Sequence, residues 1–301
     1  YRYIKRIEKR IIFIKVLRRI VSMGKSSKSV LEIIKANSLL ASGVFFWAMG
    51  FPAAEVMLEI WKPLPVITAR LALASVILFS VWVFVEGLNA VFKAPWIKAI
   101  WIGICGLGFS GYLFIKAQAL TDPVTVAVAS ASLPAFAAVL EVIFDNRRLR
   151  LTFMLGVLLA IIGGIIAVGF GKIEGESSPL IGGSLVCLAS LSYAWGTRAS
   201  VKSLPNLSAL ARTVMTVVGA VLFLGTLLIF GITLDLQNLT LDIFSPRYMV
   251  ALFIHAIFGI AISQWLYISG VSKVGVAVAS VHVNAAPFYV MLVVVILGGE
   301  W

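Results

Sequence analysis

Ionisable side chains are scarce in the body of this sequence, so those that interrupt its apolar runs are the first candidates for chemistry. Glu55 and Arg70 stand on either side of the short connection WKPLP, each about five residues inside a hydrophobic run. A carboxylate in a hydrocarbon setting costs about 2–3.5 kcal/mol or more unless it is paired or hydrated. If the two runs form an antiparallel hairpin, the groups lie at similar depth and pair as ions. The other reading is that Glu55 binds a proton or a cationic solute group. Trp47 lies mid-run, and with Tyr112 and Trp265 it could line a cavity suited to an aromatic solute, or to a cation against ring faces. His282 and Asn284 are polar residues in a late run. Two residues apart, they do not share a helix face, so one of them faces any cavity and the other does not. Pro52, Pro134 and Pro287 fall inside runs, where each removes a helical hydrogen bond and permits a kink. Cys105 and Cys187 sit in apolar sequence, with neither a disulfide framework nor a metal-binding spacing around them.

The elements that must hold these residues follow from composition. Hydrophobic residues make up 61% of the 301 and charged residues only 13%. Soluble domains carry about 25% charged residues. A cytosolic enzyme, a disordered chain and a disulfide-rich secreted scaffold are thereby excluded. From residue 37 onward, apolar runs of roughly 20 residues recur, each long enough to cross a bilayer as a helix. They lie near 37–58, 66–86, 98–118, 123–144, 151–170, 179–200, 208–231, 248–270 and 276–297, joined by short loops. The reading is an all-α membrane protein, a polytopic helical bundle with nine spans present. Formal net charge is +12, and eleven of the 25 Lys and Arg residues fall in the first 36 positions. Such a tail beside a hydrophobic body reads as a cytoplasmic anchor facing anionic lipid rather than as a nucleic-acid surface. With the N-terminus in the cytoplasm, the loops and tail on that side hold 19 Lys and Arg against four outside.

The two halves can be laid over one another. SGYLFI (110–115) matches SQWLYI (263–268) at a shift of 153, and the same shift places Pro134 on Pro287. Trp47-Ala-Met-Gly50 matches Tyr193-Ala-Trp-Gly196, and both Pro63 and Pro205 lie seven residues before an arginine, Arg70 and Arg212. Five spans per half is odd, so the second half enters the membrane from the opposite side: an inverted repeat, with a substrate site near the midplane between halves. At these residues, with the WAMGFPAAE run of the first span and Glu300 thirteen residues after Pro287, the chain resembles the EamA family of the drug/metabolite transporter superfamily. The resemblance covers about 37–301. Arg147, thirteen residues after Pro134, departs from its pattern.

The resemblance implies two inverted five-helix repeats, a first over 37–170 and a second over 179–301, with ten helices expected. The tenth maps to about 304–323, so the sequence reads as truncated before it. Residues 1–36 form the basic tail. Residues 1–22 read either as upstream of a natural start at Met23 or as an interfacial amphipathic segment. The function implied is secondary transport in the inner membrane, an export of small metabolites, amino acids or drug-like solutes by alternating access, with no enzyme activity and no cofactor. Partners are the small-molecule substrate and membrane lipid, with a coupling proton or operation as an exchanger as alternatives and a second copy of the chain as a further option. A different class is also written here: Gly108-Phe-Ser110-Gly111 matches the GxSG of rhomboid-type intramembrane proteases, and His255 supplies a later histidine. Against it, Ser110 has a repeat counterpart in Ser263, which suits a scaffold better than a nucleophile.

Overall fold

The computed structural model describes residues 2–146 and 179–296 apart from Asn238, with a few positions between 148 and 162; side chains are described from Val30 onward. Among the described residues there is no strand, and eight helices are long and apolar enough to cross a membrane. They are α1 (Val30–Leu58, the distal part of a helix that begins at Arg2), α2 (Pro63–Glu86), α3 (Trp96–Leu120), α4 (Pro123–Asp145), α5 (Leu180–Ser203), α6 (Ala209–Thr233), α7 (Pro246–Val274) and α8 (Val276–Ile296). The span expected over 151–170 falls mostly outside the described residues. Local chemistry sets several of the starts. Proline occupies the first turn of α2, α4 and α7, where its missing N–H has no helical partner to lose. Asp122 accepts a hydrogen bond from Thr125 N at 2.8 Å to cap α4, and Ser208 accepts one from Ala211 N at 2.9 Å to cap α6. Gly275, at φ 86°, makes the one-residue turn between α7 and α8.

Packing joins the halves rather than separating them. Helix α1 lies along α7, α3 along α5, α2 along α6, and α4 meets α8. Under the repeat, α1 corresponds to α5, α2 to α6, α3 to α7 and α4 to α8. The α1–α7 and α3–α5 contacts are therefore the same contact made twice, and α2–α6 and α4–α8 are contacts of like with like. That is the pattern of a pseudo-two-fold axis running between the halves. Glycines allow the two equivalent crossings. A Cβ on Gly106 would land on the Cα of Gly196, and one on Gly50 would stand 3.2 Å from the Cα of Gly259. Gly50 matches Gly196, and Gly106 matches Gly259. The outer surface is strongly apolar, with Phe84, Leu180 and Phe288 standing out from it, as a chain solvated by lipid requires.

Irregular turns recur at matching places too. In α3 the α-helix widens to a π-helix over Gly103–Gly108, and in α7 over Ile257–Ile262. Helices α4 and α8 each tighten to a 3₁₀ turn, Ser130–Ser132 and Val281–Ala285, immediately before the turn that holds Pro134 or Pro287. Pro52 sits within α1 without interrupting it. Beside it, Gln118 of α3 donates to the carbonyl of Phe51 at 2.8 Å.

Candidate functional site

A partly open cavity lies on the pseudo-two-fold axis. Its walls are largely repeat-related pairs: Trp47 with Tyr193, Leu107 with Ile260, Ser110 with Ser263, Gly111 with Gln264, and Phe114 with Tyr267. Each widened turn of α3 and α7 ends just before its serine. A π-turn adds a residue to the turn and so rotates the side chains beyond it about the helix axis. Tyr193 donates to Gln264 Oε1 at 2.9 Å, and its ring lies 6.0 Å from that of Tyr267, whose buried hydroxyl has no hydrogen-bond partner. Trp47 is braced by Phe51 and Phe114 at 4.9 and 5.9 Å. Ser110 donates back to the carbonyl of Leu107 at 3.2 Å, and Ser263 to that of Gly259 at 2.8 Å.

The repeat breaks at its two arginines. Arg212 of α6, 6% exposed, donates through Nε to the carbonyl of Leu204 at 2.9 Å and through Nη2 to that of Pro205 at 3.0 Å, closing the end of α5. Its counterpart Arg70, 7% exposed, lines the cavity instead. Arg70 Nη1 contacts Nε2 of His255, a fully buried ring on α7 that packs against Gly50 and Gly259. Arginine has donors only, so the imidazole nitrogen must accept. Arg70 Nε and His255 Nδ1 are buried without a hydrogen-bond partner. The expected ion pair between Glu55 and Arg70 is therefore replaced: Glu55 is exposed, and Arg70 turns inward to His255.

The remaining candidates are scattered around the chamber rather than gathered in it. Glu55 lies eight residues beyond Trp47, roughly 12 Å further along the helix, outside the cavity. Tyr112 and Trp265 do not line it. At 100° per residue they stand nearly opposite the faces that present 110, 111, 114 and 263, 264, 267. Tyr112 packs into the α2–α6 core, and Trp265 is on the perimeter. Val283, rather than its neighbours, lines the cavity from α8. His282 Nδ1 is 3.3 Å from the carbonyl of Ala279, and Asn284 Oδ1 is buried without a hydrogen-bond partner. Ser110 and His255 are each engaged elsewhere, Ser110 by Leu107 and His255 by Arg70, so the protease pairing has no geometric support. Tyr193, Gln264 and Tyr267 are not among the cavity residues that the sequence points to, and His255 stands out there only as a protease histidine. The repeat match of Tyr193 to Trp47 was the available signal for the first.

Ion pairs join the halves at both ends. At one, Arg198 of α5 forms a bidentate pair with Asp145 of α4, at 2.6 and 2.9 Å, with Lys202 3.5 Å away. In the same place Glu141 accepts from Ala277 N at 3.2 Å. At the opposite end Glu59, just past the end of α1, pairs with Arg247 of α7 at 2.5 Å and accepts from Tyr248 at 3.2 Å.

Fold and cavity together define a polytopic membrane protein built from two inverted helical repeats around a central, largely apolar chamber that holds one arginine. The model of the EamA-like transporter family matches residues 34–169 and again 180–301. The chain belongs to that family, and is a membrane transporter of the drug/metabolite transporter superfamily. A solved structure titled only "Crystal structure of protein" shares the fold, with a TM-score of 0.67 over 91% of this chain and 89% of that one at 15% identity. No curated protein matches the sequence.

Proposed function

We propose that the protein exports small metabolites, amino acids or drug-like solutes across the inner membrane by alternating access, its N-terminus in the cytoplasm. The carrying observation is the position of the cavity. It lies on the axis relating the halves, with inter-half ion pairs at both ends, Asp145–Arg198 and Glu59–Arg247. Rocking the halves would break one set while the other holds, and would open the chamber to one side at a time. In this reading the domains are the repeats 37–170 and 179–301, and Glu55 carries a coupling proton near the Glu59 end.

The test is solute flux in proteoliposomes, on candidates chosen by comparing metabolites of cells with and without the gene. Wild type should accumulate solute against a gradient when a pH difference is imposed. Glu55→Gln should fold, bind solute and equilibrate it, but lose uphill accumulation. Accumulation unchanged in Glu55→Gln would remove the proton role, and absence of any flux would remove the transporter mechanism.

A further inference from the structure

Resting on that transport reading, we propose that the cavity takes a monoanion, a carboxylate on a small apolar and preferably aromatic body, and that Arg70 is the group that holds it.

Arg70 is the one formally charged residue among the described residues that line the cavity, and no carboxylate among the described residues stands within ion-pair distance of it. A guanidinium presents five N–H donors. Here His255 takes one through Nη1, and Nε is buried without a partner. His255 offers a lone pair, not a counter-charge. Nη2 lies toward Gly111: a Cβ there would be 3.7 Å from it, so the missing side chain leaves the approach from the chamber open. Arg212 shows what the same Pro-x6-Arg motif looks like when satisfied, with two backbone carbonyls on its fork. A buried charge without a counter-ion is costly, and a bound carboxylate can meet two of the idle donors in parallel.

The rest of the lining sets the remainder of the solute. Trp47, Phe114, Tyr193 and Tyr267 supply ring faces and edges for an apolar body. Among the described residues no carboxylate lines the chamber to receive an ammonium group, so a cation or a zwitterion would bring a positive charge beside Arg70 without a partner. This narrows the solutes proposed above, setting aside amines, cations and zwitterionic amino acids in favour of acids without an ammonium group.

The experiment is equilibrium binding to the full chain in nanodiscs, using hydrocinnamate, its neutral amide, phenylalanine, phenylpropylamine and phenylpropyl phosphate as probes. Wild type should bind hydrocinnamate about tenfold or more tightly than each of the others, the factor expected of a charge-assisted hydrogen-bond pair. This comparison needs no variant, so it stands even if Arg70 variants misfold. In folded Arg70→Gln the preference should vanish, and in Arg70→Lys part of it should remain. Equal or tighter binding of the amide, the amine, phenylalanine or the phosphate overturns the assignment, as does binding of none of the five. Its failure is separable from that of the transport reading. Flux of a neutral or cationic solute leaves a transporter without this specificity. Arg70-dependent binding of hydrocinnamate with no flux of any solute leaves a binding site without transport.

Discussion

A guanidinium inside a membrane protein needs acceptors, and the two repeat-related arginines find them differently. Arg212 is structural: its Nε and Nη2 both end on backbone carbonyls at the end of α5. Arg212→Gln should therefore lower stability by about 3 kcal/mol, since hydrogen bonds to charged groups are worth about 1.5–3 kcal/mol each. Thermal unfolding in detergent should show this, with the binding preference of the folded fraction unchanged. A change of solute preference in that variant would show that the two arginines share a task. The Pro-x6-Arg spacing was visible in the sequence, and so was the oddity of Arg70. Its partner was not. Glu55 is fifteen residues away and carries opposite charge, whereas His255 is 185 residues away and signals nothing by spacing. Hairpin depth favoured Glu55, but depth says nothing about which way around its helix a side chain points.

At the scale of elements, the same helix is started in two ways. Helix α4 is capped by its own Asp122, but the equivalent place before α8 is Gly275, which has no side chain to offer. Glu141, reaching from α4 in the other half, accepts from the first turn of α8 instead. The glycine crossings are equally specific. Gly106→Val would drive a branched side chain into the backbone of Gly196 and should cost about 3 kcal/mol or more, because backbone, unlike a flexible side chain, cannot step aside. Gly183, with open space around its would-be Cβ, should accept alanine with a change within about 1 kcal/mol, in the stabilising direction. Unfolding temperatures of the two variants check the contrast. Gly50 and Gly196 were legible, because they close the matched runs WAMG and YAWG. The widened turns in α3 and α7 were not. An i→i+5 turn has no composition that separates it from ordinary helix, and it was those turns that fixed which residues face the chamber.

For the whole molecule, helices were legible because a bilayer leaves a single chain few other ways to satisfy its backbone, and the inverted repeat because an odd number of spans reverses direction. The chamber lining needed the helices' rotations. The fold requires Glu59, Lys62 and Arg247 to lie at one end, and Glu86, Asp145, Lys202 and Ser208 at the other. In a background with Cys105 and Cys187 replaced by serine, single cysteines at Lys62 and Arg247 should react with an impermeant thiol reagent from one side. Cysteines at Lys202 and Lys273 should react only from the other. Labelling of both sets from one side would refute the alternation of the spans.

The cross-half pairing also has a consequence in time. Arg70 and His255 are 185 residues apart, and synthesis proceeds at about 5–20 residues per second. Roughly 10–40 s therefore separate the emergence of the arginine from that of the ring it rests against. Helix α1 waits comparably long for α7. During that interval the Gly50 face of α1 has no permanent neighbour, because its partner Gly259 lies on α7. The insertion machinery or interfacial water must keep Arg70 solvated until the later helices arrive, so assembly of the chamber waits on translation of α7.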